Sequence, residues 1–219
     1  MVAHLPKAFV SWSSRKDSAY ALLEARRQSI AEIVGIITTI NTTDDRVAVH
    51  GVRPSLLTRQ AAALGLPLIR VELLYPCPNE AYEARFLDAC VSIKAEGVEH
   101  IVFGDLFLED IRTYREGLLA RAGMQGLFPL WRRDTRSLAH DMIASGIVAH
   151  LVCVDLQRLD SSYAGRQFDS AFLSGLPSGI DPCGENGEFH TVVSAGTDVR
   201  GAHPRACRGN GRARRVRLC

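Results

Sequence analysis

The stretch Ile33-Val34-Gly35-Ile36-Ile37-Thr38-Thr39-Ile40 constrains the fold more than any other. It is almost continuously apolar and β-branched, so a strand built from it must bury both faces. Parallel sheets covered by helices on either side meet that demand. Three shorter runs have the same character: Lys7–Val10, Leu68–Leu74 and His100–Asp105. Between them lie helix-forming segments at 19–27, 52–64, 80–96 and 109–121, the third with Asn79 as its expected N-cap. Asn41–His50 reads as a polar loop. Strands alternating with helices predict an α/β fold, a doubly wound parallel sheet with right-handed connections. Ligands of such sheets sit beyond the carboxyl ends of the strands. The segment after the first strand, Thr38 with Thr39, and Gly104 with Asp105 then share one edge, the expected ligand cleft.

The texture changes after Met124. Leu127-Phe128-Pro129-Leu130-Trp131 precedes an expected helix at 135–145, a strand at 148–154, a shorter helix at 163–173 and a glycine-rich loop. Residues 1–124 are therefore expected to form the larger domain and 125–198 a small second α/β domain. Residues 199–219 form a tail. Seven of the chain's 26 basic residues and none of its 24 acidic ones fall in Arg200–Cys219, which predicts a disordered basic tail. Such a tail holds nucleic acid through charge alone, but it has no interleaved aromatics, so specific nucleic-acid binding is not expected. The six cysteines are scattered without a CxxC pair, against a zinc site or a secreted disulfide framework. Cys153, inside an expected strand, reads as core. No apolar run is long enough for a membrane span and no signal-peptide pattern opens the chain, so a cytoplasmic protein without a membrane partner is expected.

Two stretches carry chemistry. Ser11-Trp12-Ser13-Ser14-Arg15-Lys16-Asp17-Ser18 joins the first strand to the first helix. A helix N-terminus there presents unpaired N–H groups and the positive end of its dipole, which suits a phosphate. The serine hydroxyls add donors and Lys16 a mobile positive charge. The plainer alternative is a capped βα turn with Ser13 or Ser14 as N-cap and a solvated lysine. The segment is no Walker A loop, because its glycine framework is missing. The second stretch, Asp181-Pro182-Cys183-Gly184-Glu185-Asn186-Gly187-Glu188-Phe189-His190-Thr191, sets acids, an asparagine and a histidine around two glycines. It suits a polar ligand or Mg²⁺; by local physics alone, Asn186-Gly187 is a type I′ hairpin turn.

Ser13-Ser14-Arg15-Lys16-Asp17-Ser18 resembles the SGGxDS pyrophosphate loop of the PP-loop ATP pyrophosphatases, which have the HUP-type sheet. With Ser11-Trp12 in front, it is similar to the SWSGGKDS form of the diphthine–ammonia ligase family, whose bacterial relatives are often called adenine nucleotide alpha hydrolases. Gly184-Glu185-Asn186-Gly187-Glu188-Phe189-His190-Thr191 resembles that family's second signature. His50-Gly51-Val52, Gln60-Ala61, Gly65-Leu66-Pro67-Leu68 and Pro129-Leu130-Trp131 follow in the family's order, so the likeness spans roughly residues 7–196.

The resemblance implies ATP-dependent amidation: a carboxylate attacks the α-phosphate, pyrophosphate leaves, and ammonia displaces AMP. It places Ser13, Ser14, Arg15, Lys16, Asp17 and Ser18 at the pyrophosphate, and Thr38, Thr39 and Gly104 near the rest of the nucleotide. Asp105 is the Mg²⁺ candidate. Lys16, Asp17, Glu185 and Glu188 are the catalytic candidates. Gly184, Glu185, Asn186, Gly187, Glu188, His190 and Thr191 are the substrate-side candidates. ATP and Mg²⁺ are the implied cofactors, and no cue names the carboxylate acceptor. Hydrolysis of ATP without an acceptor, or nucleotide binding without chemistry, remain open alternatives. Sulfur transfer is not expected. Arg15 departs from the family's glycine: at positive φ it would cost about 1–2 kcal/mol and weaken turnover. Alternatively its guanidinium binds the phosphate itself.

Overall fold

A computed structural model of the chain describes residues 4–42, 46–47 and 54–196. The His50-Gly51-Val52 anchor and the 199–219 tail lie outside the described residues. The main sheet is built from β1 (Lys7–Ser11), β2 (Glu32–Asn41), β3 (Arg46–Val47), β4 (Leu68–Leu73), β5 (His100–Val102) and β6 (Gln125–Leu127). Five of these run parallel in the order β4-β2-β1-β5-β6, while β3 pairs antiparallel with Ile40 and Asn41 of β2. The strand order reverses at β1, the mark of a doubly wound sheet.

Alternation of side chains explains the two layers. Ala8 and Val10 of β1, with Ile36 and Ile40 of β2, pack beneath α1 (Lys16–Arg27) and Leu57 and Ala61 of α2 (Pro54–Leu64). Phe9, Ile37 and Ile101 face the opposite way. They meet Phe86, Cys90 and Ile93 of α3 (Asn79–Ala95) and Leu118 and Leu119 of α4 (Glu109–Arg121). Gly35 is required by this packing, because a Cβ there would stand 2.3 Å from the Phe9 ring.

After β6 come α5 (Thr135–Ala144), β7 (Val148–Val154), α6 (Ser170–Ser174) and β8 (Phe189–Ala195). Strands β7 and β8 pair antiparallel in a second, two-stranded sheet. Phe168, Phe172 and Phe189 pack ring to ring beside it, with neighbouring centroids 5.3–6.3 Å apart. These rings belong to the same buried cluster as α1 and β1, so one continuous core joins the second sheet to the first. Strand β6, which belongs to the main sheet, lies just past Met124, inside the segment expected to form the second domain.

Several local expectations change. Pro78, not Asn79, occupies the N-cap of α3. The Asn79 side chain instead meets Glu83 and Tyr114. The loop expected over 41–50 contains the short strand β3. The expected strand at 100–105 stops at Val102, leaving Gly104 and Asp105 beyond its end. The helix expected at 163–173 divides into a 3₁₀ turn at Ser161–Tyr163 and the five-residue α6, capped by Asp169 through the Phe172 N–H. Cys153 lies in β7 but is exposed rather than core.

Candidate functional site

The segment from Ser11 to Ser18 turns between the end of β1 and the start of α1, at the point where the strand order reverses. Its backbone is fixed at each step. Trp12 N–H donates to the Ile37 carbonyl at 2.8 Å, and Val193 N–H of β8 donates to the Ser14 carbonyl at 2.9 Å. Ser14 adopts φ 63°. Arg15, the N-cap of α1, sits at φ −89° and ψ 162°. The left-handed residue of the loop is thus Ser14, and Arg15 carries none of the backbone strain foreseen for it. No side chain caps α1 in the manner expected of Ser13 or Ser14.

The serines stabilise the loop itself. Ser13 N–H and Oγ both meet Ser18 Oγ, at 3.3 and 3.1 Å, and Ser18 Oγ–H donates to the Arg15 carbonyl at 3.0 Å. Ser14 Oγ–H donates to Gln60 Oε1 at 2.7 Å. Gln60, wholly buried in α2, also accepts from Trp12 Nε1–H at 2.9 Å and donates to the Val193 carbonyl at 2.9 Å. It is the residue behind this loop that sequence reasoning undervalued. The signal was a lone amide on the apolar face of a helix, beside Leu57 and Ala61.

Lys16 is not a mobile charge. Its side chain is 1% exposed, and Nζ lies 2.6 Å from Asp17 Oδ1 and 2.6 Å from the Cys183 carbonyl. The ammonium also stands 5.3 and 5.7 Å from the centroids of Phe168 and Phe189. Burial works against this charge, but Asp17 and its neighbours outweigh it, and the Lys16 pKa is raised.

Facing this loop are the end of β5 and the 181–191 loop. A Cβ on Gly104 would come within 2.7–2.9 Å of the Asp17 and Ser18 backbone, so only glycine lets β5 approach α1 this closely. Asp105 forms an ion pair with Arg115 at 2.8 Å; burial raises its pKa against the pull of that arginine. Glu185 Oε1 accepts the Leu106 N–H at 3.0 Å. Burial, then Asp17, pushes the Glu185 carboxyl up to about 7, with Asp105 adding to the shift. Burial lowers the Arg15 pKa, with Asp17 and then Glu185 acting in the other direction. Asp17, Asp105 and Glu185 therefore share one electrostatic neighbourhood.

The remaining candidates divide. Glu188 is wholly buried, pairs with Arg158 at 2.9 Å, and accepts from Asp181 N–H and Asn186 Nδ2–H at 3.3 Å each. It builds the loop rather than facing the cleft, contrary to the catalytic role expected of it. Asn186 is exposed at the loop's tip, where Gly187 N–H closes a turn on the Gly184 carbonyl at 3.2 Å. Gly184 and Gly187 have φ 71° and 84°, whereas Asn186 stays outside the left-handed region. The type I′ hairpin is therefore absent, and β8 pairs with β7 instead. Thr191 Oγ1 accepts the Lys16 N–H at 3.3 Å. His190 is held neutral, its pKa lowered to about 4 by burial and by Arg15 and Lys16. Thr38 is buried and Thr39 half-buried, both just beyond the β1 pairing on β2. The Cys183 thiol is pushed up to about 12 by burial. Among the described residues, no group of three His, Cys, Asp or Glu side chains could hold a metal ion, so Asp105 is not part of a ready-made metal cage. No helix among them is long and apolar enough to cross a membrane.

Strand order and loop together define a doubly wound α/β domain of PP-loop type. Residues 6–126 match the diphthamide synthase N-terminal domain family, and the chain belongs to it. It is 33% identical over 201 residues to the diphthine–ammonia ligase of Schizosaccharomyces pombe, covering 83% of this chain and 33% of that protein. The human diphthine–ammonia ligase is 26% identical over 202 residues, covering 83% of this chain and 76% of that protein. The zebrafish (Danio rerio) protein of the same name is 31% identical over 150 residues, 61% of this chain and 58% of that one. The chain thus spans about a third of the yeast relative and about three quarters of the human one.

Proposed function

We propose that the chain is an ATP-dependent ligase that activates a carboxylate with ATP and joins it to ammonia, as the names of its relatives suggest. One observation carries this reading: the first turn of α1, the end of β5 and the Glu185 carboxyl meet at the reversal point of the sheet. A carboxylate oxygen of the acceptor attacks the α-phosphorus, and the bond to the bridging oxygen breaks. Pyrophosphate leaves with that electron pair, its charge met by first-turn N–H groups and by Arg15. Ammonia then attacks the acyl carbon, AMP departs with the electron pair of the acyl–oxygen bond, and the nitrogen passes its third proton to the departing phosphate. Glu185, near neutrality at about 7, takes the proton that ammonium must lose. Thr38 and Thr39 border the adenosine through their backbone. Asn186 and His190 border the acceptor, His190 as a neutral hydrogen-bonding group.

Mg²⁺ fits the donor set, because it takes one or two carboxylates together with phosphates rather than a full protein cage. Burial, then Asp17 and Asp105, raises Glu185, and a divalent charge would offset the part that those two carboxylates add. Bound there, it would neutralise charge on the departing pyrophosphate. A cytoplasmic location belongs to the same reading.

The test is product analysis of the full chain and of Arg15→Gly with Mg-ATP, ammonium and a diphthine-bearing peptide, diphthine being the acceptor that the relatives' names give. AMP and pyrophosphate in equal amounts are expected. ADP with phosphate, or intact ATP despite binding, overturns the ligase. AMP from Arg15→Gly alone makes Arg15 the cause of an impaired site.

A further inference from the structure

We propose that Lys16 is a positioning residue that clamps the 181–188 loop onto the first turn of α1, and not a ligand of phosphate. The clamp rests on the functional reading only in naming that loop as the acceptor side. Five attachments converge on this residue. Its ammonium bridges Asp17 Oδ1 and the Cys183 carbonyl, each at 2.6 Å. The same ammonium lies over the rings of Phe168, which precedes α6, and Phe189, which opens β8. Its backbone N–H meets Thr191 Oγ1 of β8 at 3.3 Å. With 1% of the side chain exposed, nothing of it reaches the cleft.

Geometry explains why a lysine stands here. A flexible stem with three donors on a compact charge can satisfy a carboxylate and a carbonyl while its remaining face rests on aromatic rings. Turning toward a phosphate would break two charge-assisted hydrogen bonds and strand a buried carbonyl. Cys183 lies two residues before Glu185, whose side chain meets Leu106 at the end of β5. Holding Cys183 therefore fixes the distance between the Glu185 carboxyl and the nucleotide loop.

Lys16→Met in the full chain tests the clamp through hydrogen exchange and Mg-ATP calorimetry, beside the Lys16 ammonium proton signal of the parent. Exchange within 181–188 is expected to quicken tenfold or more, with β1 and β2 still protected. Mg-ATP affinity stays within threefold. A fall in Mg-ATP affinity of thirtyfold or more with unchanged loop exchange overturns the proposal. Should Lys16→Met not fold, the parent chain decides: its Lys16 ammonium gives a slowly exchanging proton signal that Mg-ATP leaves in place. A signal that moves on adding Mg-ATP, or exchanges freely without it, refutes the clamp. A parent chain that binds no ATP refutes the ligase reading, while loop exchange still judges the clamp.

Discussion

Replacing Gln60 with methionine keeps its side-chain volume nearly constant and removes only the amide. Three buried groups then lose their partner: Trp12 Nε1–H, Ser14 Oγ–H and the Val193 carbonyl. Trp12, Ser14 and Val193 are each at most 1% exposed, so water does not replace the lost bonds. An orphaned buried polar group costs about 1–3 kcal/mol. Three in one network, which do not add fully, give roughly 3–6 kcal/mol. That is a large share of the ~5–15 kcal/mol by which a domain is stable. Urea unfolding followed by tryptophan fluorescence measures it, since Trp12 reports from the network itself. The same change made in a Ser14→Ala background should cost about 1 kcal/mol less, because one orphan has gone. A loss below about 1 kcal/mol for Gln60→Met would refute the view that this amide ties the Ser11–Ser18 loop to β8.

Gly104→Ala places a methyl 2.7–2.9 Å from the Asp17 and Ser18 backbone, so β5 and α1 must part. A stability loss of about 1–3 kcal/mol by denaturation is expected, with a fall in nucleotide affinity. Glu185 favours its protonated form in the fold, its pKa raised from 4.5 to about 7. Its contribution to stability is therefore full below about 4.5 and lost as pH rises through about 7; Glu185→Gln should flatten the fall in Tm between pH 5 and 8. Ser14→Gly relieves about 1–2 kcal/mol of left-handed strain and loses one hydrogen bond of about 1 kcal/mol, so its stability should stay within about 1 kcal/mol of the parent. Arg15→Gly brings no relief of that kind, because Arg15 is extended; equilibrium unfolding separates the two.

The sheet was legible because its strands are apolar on both faces and its helices are long. Ile36 and Ile37 point into opposite cores, which a continuous apolar run announces and an alternating one does not. Strand β6 escaped notice because Gln125-Gly126-Leu127 is too short to carry a pattern. The five residues of α6 likewise hold less than two helical turns, and their start depends on the Asp169 cap. At the site, residue identity was readable but direction was not. Lys16 and Glu188 sit in signature stretches, yet both turn inward, toward partners more than twenty residues away such as Cys183 and Arg158. Sequence spacing places neighbours on one turn and says nothing of a carbonyl from another layer. The strain assigned to Arg15 belonged one residue earlier, a difference that a single helix cap decides.

The central claim is that ATP sits at the reversal point of the sheet, on the first turn of α1. Amide chemical shifts of the full chain titrated with Mg-ATP test it most directly. The largest changes should fall at Ser13–Ser18, Thr38, Thr39 and Gly104–Leu106, with smaller ones in 184–188. Saturable changes confined to the pocket between Arg136, His140 and Ser178, or none at millimolar ATP, would contradict the account.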